Sequence, residues 1–237
     1  MACILHIETS TRVCSVALSQ DGACIFEQTD LDGPNHAVRC GVMVDEALSF
    51  ANSHAIPVDA VSVSEGPGSY TGLRIGYSMA KGICYGLGIP LISLPTLEIL
   101  SVPVLLRADF SDWTDDVQPM LVPMIDARRM EVYAAVYDRA LHPVRGIQAD
   151  VVDANTYREY LEQGPVYFFG DGSEKLHDTI QHPNAHFLTG LHPLAKYMFP
   201  LAERRYLRQE FSDVAYSEPF YLKEFVAIKP KNPLSAL

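Results

Sequence analysis

The sequence predicts an α/β protein of two lobes, each a mixed sheet flanked by helices, and three observations carry the prediction. Residues 1–100 run strand, strand, strand, helix, strand, helix, strand, with apolar spacing that switches between period 2 and period 3.6. Helices stand on both sides of the fourth strand, as parallel crossovers require. Near residue 101 the pattern changes to a hairpin, a further strand and a late helical run. A second, smaller lobe is therefore expected over 101–237, its last helices packing back on the first lobe, 1–100.

The elements follow in order. Cys3 to Glu8 is an apolar run interrupted by His6, and Cys14 to Ser19 is a second strand reached through Thr9-Ser10-Thr11-Arg12. Asp21-Gly22 is a hairpin turn into Ala23–Thr29. Asn35 stands at the cap position of a helix from His36 to His54 that stops before Pro57. Val58–Ser64 is a fourth strand, Thr71–Leu87 a second helix, and Leu91–Leu94 a fifth strand ended by Pro95. A helix from Thr96 to Leu106 leads into a polar, exposed loop, Asp109–Asp116. Leu121–Asp126 and Glu131–Asp138 form a hairpin around Ala127-Arg128-Arg129-Met130, and Val166–Phe169 is another strand. Helical spacing runs from Pro193 to Gln209, and a frayed tail is expected from Pro230.

Composition narrows the function classes. Of 237 residues, 48% are hydrophobic and 20% charged, the balance of a soluble globular chain. Asp and Glu outnumber Lys and Arg by 29 to 18, a formal charge of -11, which argues against the basic face that gripping a phosphate backbone unaided requires. The five cysteines, Cys3, Cys14, Cys24, Cys40 and Cys84, are odd in number and form no Cys-x-x-Cys pair, which suits a reducing cytoplasm. No apolar run reaches the roughly 18 residues that cross a bilayer. The first residues read as a strand, without a basic n-region.

The segment Glu65-Gly66-Pro67-Gly68-Ser69-Tyr70-Thr71-Gly72 follows a strand and opens a helix. Its glycines let backbone N–H groups converge where the helix start adds partial positive charge, so it is either an anion cradle or a tight strand-to-helix turn. Gly72, Gly76, Gly82 and Gly86 fall in one arc of about 120° at 3.6 residues per turn. Glycines cost a helix about 1 kcal/mol each, so close backbone approach is expected, by the helix's own sheet or by a second chain. On the first helix Ala37, Cys40, Met43, Val44, Ala47, Leu48, Phe50 and Ala51 span about 160°, wider than a core stripe needs, with Val38 and Val42 outside it. Together the two helices suggest an interface at Val38, Val42, Asp45, Gly72, Gly76, Met79 and Ile83. Candidate phosphate contacts are Glu8, Thr9, Ser10, Thr11, Gly66, Gly68 and Ser69. The histidines show no metal-ligand spacing, and neither His-Glu-x-x-His nor Gly-x-Ser-x-Gly occurs, so no catalytic residue and no metal site is assigned.

Ile4 to Leu18, Gly66 to Gly76, Pro95-Thr96-Leu97-Glu98, Ile125 to Tyr133 and Pro219 to Lys223 together resemble the TsaB family. The resemblance implies the actin and sugar-kinase-like (ASKHA, ribonuclease H-like) fold. It also implies a non-catalytic partner of a TsaD-like transferase that makes N6-threonylcarbamoyladenosine in tRNA. The implied partners are that transferase, a TsaE-like ATPase and a second copy in a homodimer, with no direct tRNA binding and no membrane. No cofactor of its own is implied, ATP or ADP being a matter for the interface of the complex. Departures count as well: where TsaD-like enzymes carry His-x-x-x-His, this chain has His36 and Cys40, and Glu8 stands where many relatives have Asp. The alternatives are a peptidase, as the glycoprotease label of the family suggests, and a free-standing ATP-binding regulator.

Overall fold

The computed structural model describes residues 2–33, 35–107 and 119–223. The expected loop Asp109–Asp116 and the tail from Pro230 lie outside the described residues. The first sheet takes the order β3-β2-β1-β4-β5, from β1 (Cys3–Glu8), β2 (Cys14–Gln20), β3 (Ala23–Asp30), β4 (Ala60–Gly66) and β5 (Leu91–Pro95). β1, β2 and β3 pair antiparallel, while β4 joins β1 and β5 in parallel. The second sheet takes the order β10-β9-β6-β7-β8, from β6 (Met120–Asp126), β7 (Glu131–Tyr137), β8 (Pro143–Val151), β9 (Val166–Phe169) and β10 (Ala185–Leu188). Its directions match those of the first: β6, β7 and β8 antiparallel, β9 parallel to both β6 and β10. The predicted fold class holds, and the second lobe repeats the strand plan of the first.

Helices α1 (His36–Ser53) and α2 (Tyr70–Leu87) cover one face of the first sheet, where Leu5, Ile7, Val16, Met43, Val63 and Tyr77 share a core. The other face packs on α3 (Thr96–Leu105) and on α5 (Phe199–Leu207) through Ile4, Ile92, Leu94, Ile99 and Leu201. α3 also turns Leu97, Leu100 and Val104 onto Leu121, Ile125 and Phe169 of the second sheet, so one helix seals both lobes. The far face of the second sheet packs on Tyr157, Tyr160 and Leu161, the last two belonging to the short α4 (Arg158–Leu161).

The late helical run is a correction. The stretch from Pro193 to Gln209 divides into a 3₁₀ turn, Ala195–Tyr197, and α5, because Pro200 near the start of α5 supplies no N–H and forces a new first turn. From Gln209 the chain runs as a strap back over the first lobe. Ser212 N donates to Leu91 O at 2.8 Å, and Lys81 Nζ donates to Ala215 O and Ser217 O at 2.9 and 3.0 Å. Phe220 N donates to Glu65 O at 2.6 Å, Tyr221 packs on Tyr70 with ring centroids 4.7 Å apart, and Lys223 reaches the Glu131 carboxylate on β7.

Candidate functional site

Two regions collect the residues singled out by sequence: the turn between β1 and β2, and the outer faces of α1 and α2. In the turn, Glu8 ends β1 fully buried, and its Oε1 accepts from Ser10 N at 2.6 Å. Burial pushes its carboxyl up to about 7, against the opposing pull of the hydrogen bond from Ser10 N. Glu8 Oε2 and the hydroxyls of Ser10 and Ser64 have no hydrogen-bond partner among the described residues.

The turn is the seat of α2. Thr9 Oγ1 donates to Gly72 O at 2.8 Å, and Ser69 N donates to Ser10 O at 2.6 Å. Ser69 Oγ caps the helix by accepting from Gly72 N at 3.2 Å. A β-carbon at Gly68 would lie 2.3 Å from Ser10 O, at Gly72 2.1 Å from Thr9 O, and at Gly76 2.3 Å from Thr9 Oγ1. Gly66, at φ 116°, would place one 2.5 Å from Phe220 O of the strap. These contacts account for the glycines as a tight strand-to-helix turn. Thr9 Oγ1, Ser10 O and the Cβ sides of Gly66 and Gly68 are taken up within the chain. Thr11 is buried with its hydroxyl on Val13 N, and of the seven candidates Ser69 is the exposed one.

They also correct the interface list. Gly72 and Gly76 are buried against Thr9 of their own chain, so their close approach is to the first turn. Gly82 and Gly86 meet nothing within 4 Å and stay open to the outside. Val38 and Val42 are 68% and 46% exposed, and Asp45 is exposed beside them. Met79, Ile83, Ala37 and Gly82 line a shallow groove of about 750 Å³ along α1 and α2, together with Tyr70, Thr71, Arg74, Ile75 and Ser78. Ala37, expected in the core, faces this groove because His36 takes the buried position instead. Tyr85, 87% exposed on α2, extends the apolar face and was not singled out by sequence, since one aromatic on a helix has no periodic signature.

His36 is buried, and its ring meets Thr11 O through Nε2 at 2.8 Å. Asn35 occupies the N-cap position of α1 without a side-chain cap hydrogen bond. Cys40 lies buried against Cys14 between α1 and β2, a contact that pushes the Cys14 thiol well up. Among the described residues no three His, Cys, Asp or Glu side chains converge on a metal-sized site. A Ser–His contact does occur. His6 meets Ser62 Oγ at 2.6 Å and Ser19 Oγ at 2.7 Å, but the group is fully buried in the first sheet, and burial holds the imidazole down at about 3. No substrate reaches it, so it serves packing.

Comparison with known proteins adds identity to this geometry. A family model described as TsaD, tRNA N6-adenosine threonylcarbamoyltransferase, matches residues 31–230. The tRNA threonylcarbamoyladenosine biosynthesis protein TsaB of Escherichia coli (strain K12) is 30% identical over 232 residues, which is 95% of this chain and 96% of that one. The chain belongs to the TsaB family. The TsaB protein of Bacillus subtilis (strain 168) is 31% identical over 76% of this chain and 72% of its own length. YeaZ from Pseudomonas aeruginosa superposes with a TM-score of 0.77 at 24% identity, covering 94% of this chain and all of that one, and shares the fold.

Proposed function

We propose that this chain is a non-catalytic subunit in the biosynthesis of threonylcarbamoyladenosine in tRNA, and that it holds a TsaD-like transferase through the outer face of α1 and α2. The observation that carries the reading is the groove lined by Ile75, Met79 and Ile83, with Val38, Val42 and Tyr85 exposed on the same two helices. An apolar face of this kind on a soluble protein is normally covered by a partner. Gly82 and Gly86, unused by the chain itself, let a partner helix approach α2 closely. In this reading the subunit has no nucleotide chemistry of its own, and ATP or ADP and a TsaE-like ATPase enter at the level of the complex. The same face also serves a homodimer of the isolated chain, and the protein acts in the cytoplasm. Among the described residues no helix is long and apolar enough to cross a membrane.

Reconstitution tests the proposal. tRNA threonylcarbamoylation is measured with the TsaD-like and TsaE-like proteins of the same cell, with and without this chain, and with Val42→Asp and Met79→Asp variants. Activity that needs the wild-type chain and is lost together with co-purification in the variants is expected. Full activity without the chain, or variants that bind and activate as wild type, would sink the reading.

A further inference from the structure

The loop between β6 and β7 belongs neither to the helical face nor to the buried first turn, and packing leaves its shape unexplained. Arg128 and Arg129 have φ of 73° and 54°. Among the described residues six non-glycine positions have positive φ, and these two are the consecutive pair. In that region the β-carbon crowds the following carbonyl, so glycine or asparagine is the residue the backbone favours.

The strain is held by a rigid frame. Arg128 N donates to Asp126 Oδ1 at 3.0 Å, Ala127 N to Glu131 O at 3.1 Å, and Glu131 N to Arg128 O at 3.2 Å. Nearby charges are already satisfied. Lys175 pairs with Asp126 and donates to Glu131 O at 2.8 Å, while Lys223 pairs with the Glu131 carboxylate. Asp171 Oδ1 accepts from Asp126 N at 3.0 Å. Both arginines are exposed, and among the described residues neither guanidinium has a carboxylate or hydrogen-bond partner.

The chain carries 29 acidic residues against 18 basic ones, and these two adjacent arginines are cations without a carboxylate partner among the described residues. Both are exposed and free to meet an anionic partner. A guanidinium fork matches the oxygens of a phosphate in a bidentate way that an ammonium does not. We propose that Arg128 and Arg129 form a contact to the phosphate backbone of tRNA, made when the chain sits in the modification assembly. The inference rests on the function proposed above. Two contacts fix the register of the RNA, while the bulk of its affinity comes from the other subunits. This agrees with a chain that does not bind tRNA alone.

The test uses the complex with the TsaD-like and TsaE-like partners. tRNA affinity is measured by fluorescence anisotropy over a salt series for the wild type, for Arg128→Asn/Arg129→Asn, and for Arg158→Asn. Arg158 is an exposed arginine of α4 paired with Glu162. Asparagine tolerates left-handed φ, so the double variant is expected to keep or raise the thermal midpoint and to assemble as wild type. Its tRNA affinity falls at least about tenfold, and the salt slope of log K drops by about 2. Arg158→Asn and wild type bind alike. Unchanged tRNA affinity and slope in the double variant overturn the inference, as does an equal loss in Arg158→Asn. A loss confined to ATP affinity also overturns it and assigns the loop to a nucleotide. If the wild-type assembly does not modify tRNA, the proposed function fails and this inference with it. If the wild type modifies tRNA while the double variant binds it normally, the loop inference alone fails.

Discussion

Glu8 is fully buried, and desolvation lifts its carboxyl from an ordinary 4.5 to about 7, so the native state resists carrying that charge. Glu8→Gln removes the ionisation and keeps the shape. The amide oxygen still accepts from Ser10 N, and the amide N–H₂ offers a donor beside the unpaired hydroxyls of Ser10 and Ser64. The folded pKa is the higher one, so the carboxyl's stabilising contribution is complete below about 4.5 and is lost as pH rises to about 7. At 1.36 kcal/mol per unit, the gap corresponds to about 3 kcal/mol. The variant is therefore expected to match wild type near pH 4.5 and to exceed it by about 3 kcal/mol at pH 8. Urea unfolding followed by far-UV circular dichroism at half-unit steps of pH gives the difference curve, in which other titrating groups cancel. A difference that stays flat across the range, or that favours wild type at alkaline pH, refutes the reasoning that burial dominates at Glu8.

His6 carries the opposite sign. Its imidazole is held down at about 3, so wild-type stability is complete above about 6.5 and lost as pH falls toward 3; a His6→Asn difference titration shows a shallower acid limb. Gly72→Ala drives a methyl into Thr9 O and is expected to cost about 3 kcal/mol or more. Gly82→Ala meets open space, and a higher thermal midpoint in the isolated chain, by about 0.5–1 kcal/mol, is expected together with weaker association with the transferase. Arg145 pairs with Asp150 at 2.5 Å, and Asp150 also accepts from Tyr157 Oη, with both partners of the ion pair largely buried. Arg145→Ala strands that carboxylate, and a loss of about 3–5 kcal/mol in denaturant unfolding is expected.

The first lobe was legible because its strands bury one face or both and its helices keep a regular apolar period. The second lobe hid more. β8 carries Arg145, Gln148 and Asp150 on an edge strand that buries little, so no alternation marks it. β10 is four residues long, with His186 exposed and the other three half-buried. The duplicated strand plan is invisible to residue spacing, although Gly170 repeats the role of Gly66. Each stands at the end of the fourth strand of its lobe with positive φ and has a carbonyl oxygen where a β-carbon would stand. On α2 the wheel groups Gly72 and Gly76 with Gly82 and Gly86, and the position of Thr9 alone separates the pair that fits the chain from the pair left for a partner. The Arg128–Arg129 backbone gives no sequence signal, since arginine is not a residue from which left-handed φ is inferred.

The strap from Gln209 to Lys223 also has a consequence in time. Lys81 waits for Ala215, which lies 134 positions further along the chain, and at ribosomal rates of about 5–20 residues per second that is an interval of roughly 7–27 s. Throughout it the first sheet exists without the cover of its Gly66 loop and without its bridge from Leu91 to Ser212. The nascent first lobe therefore presents its open edge and its apolar α1–α2 groove together, and an early-binding partner or a chaperone meets a different surface from the one the finished protein shows.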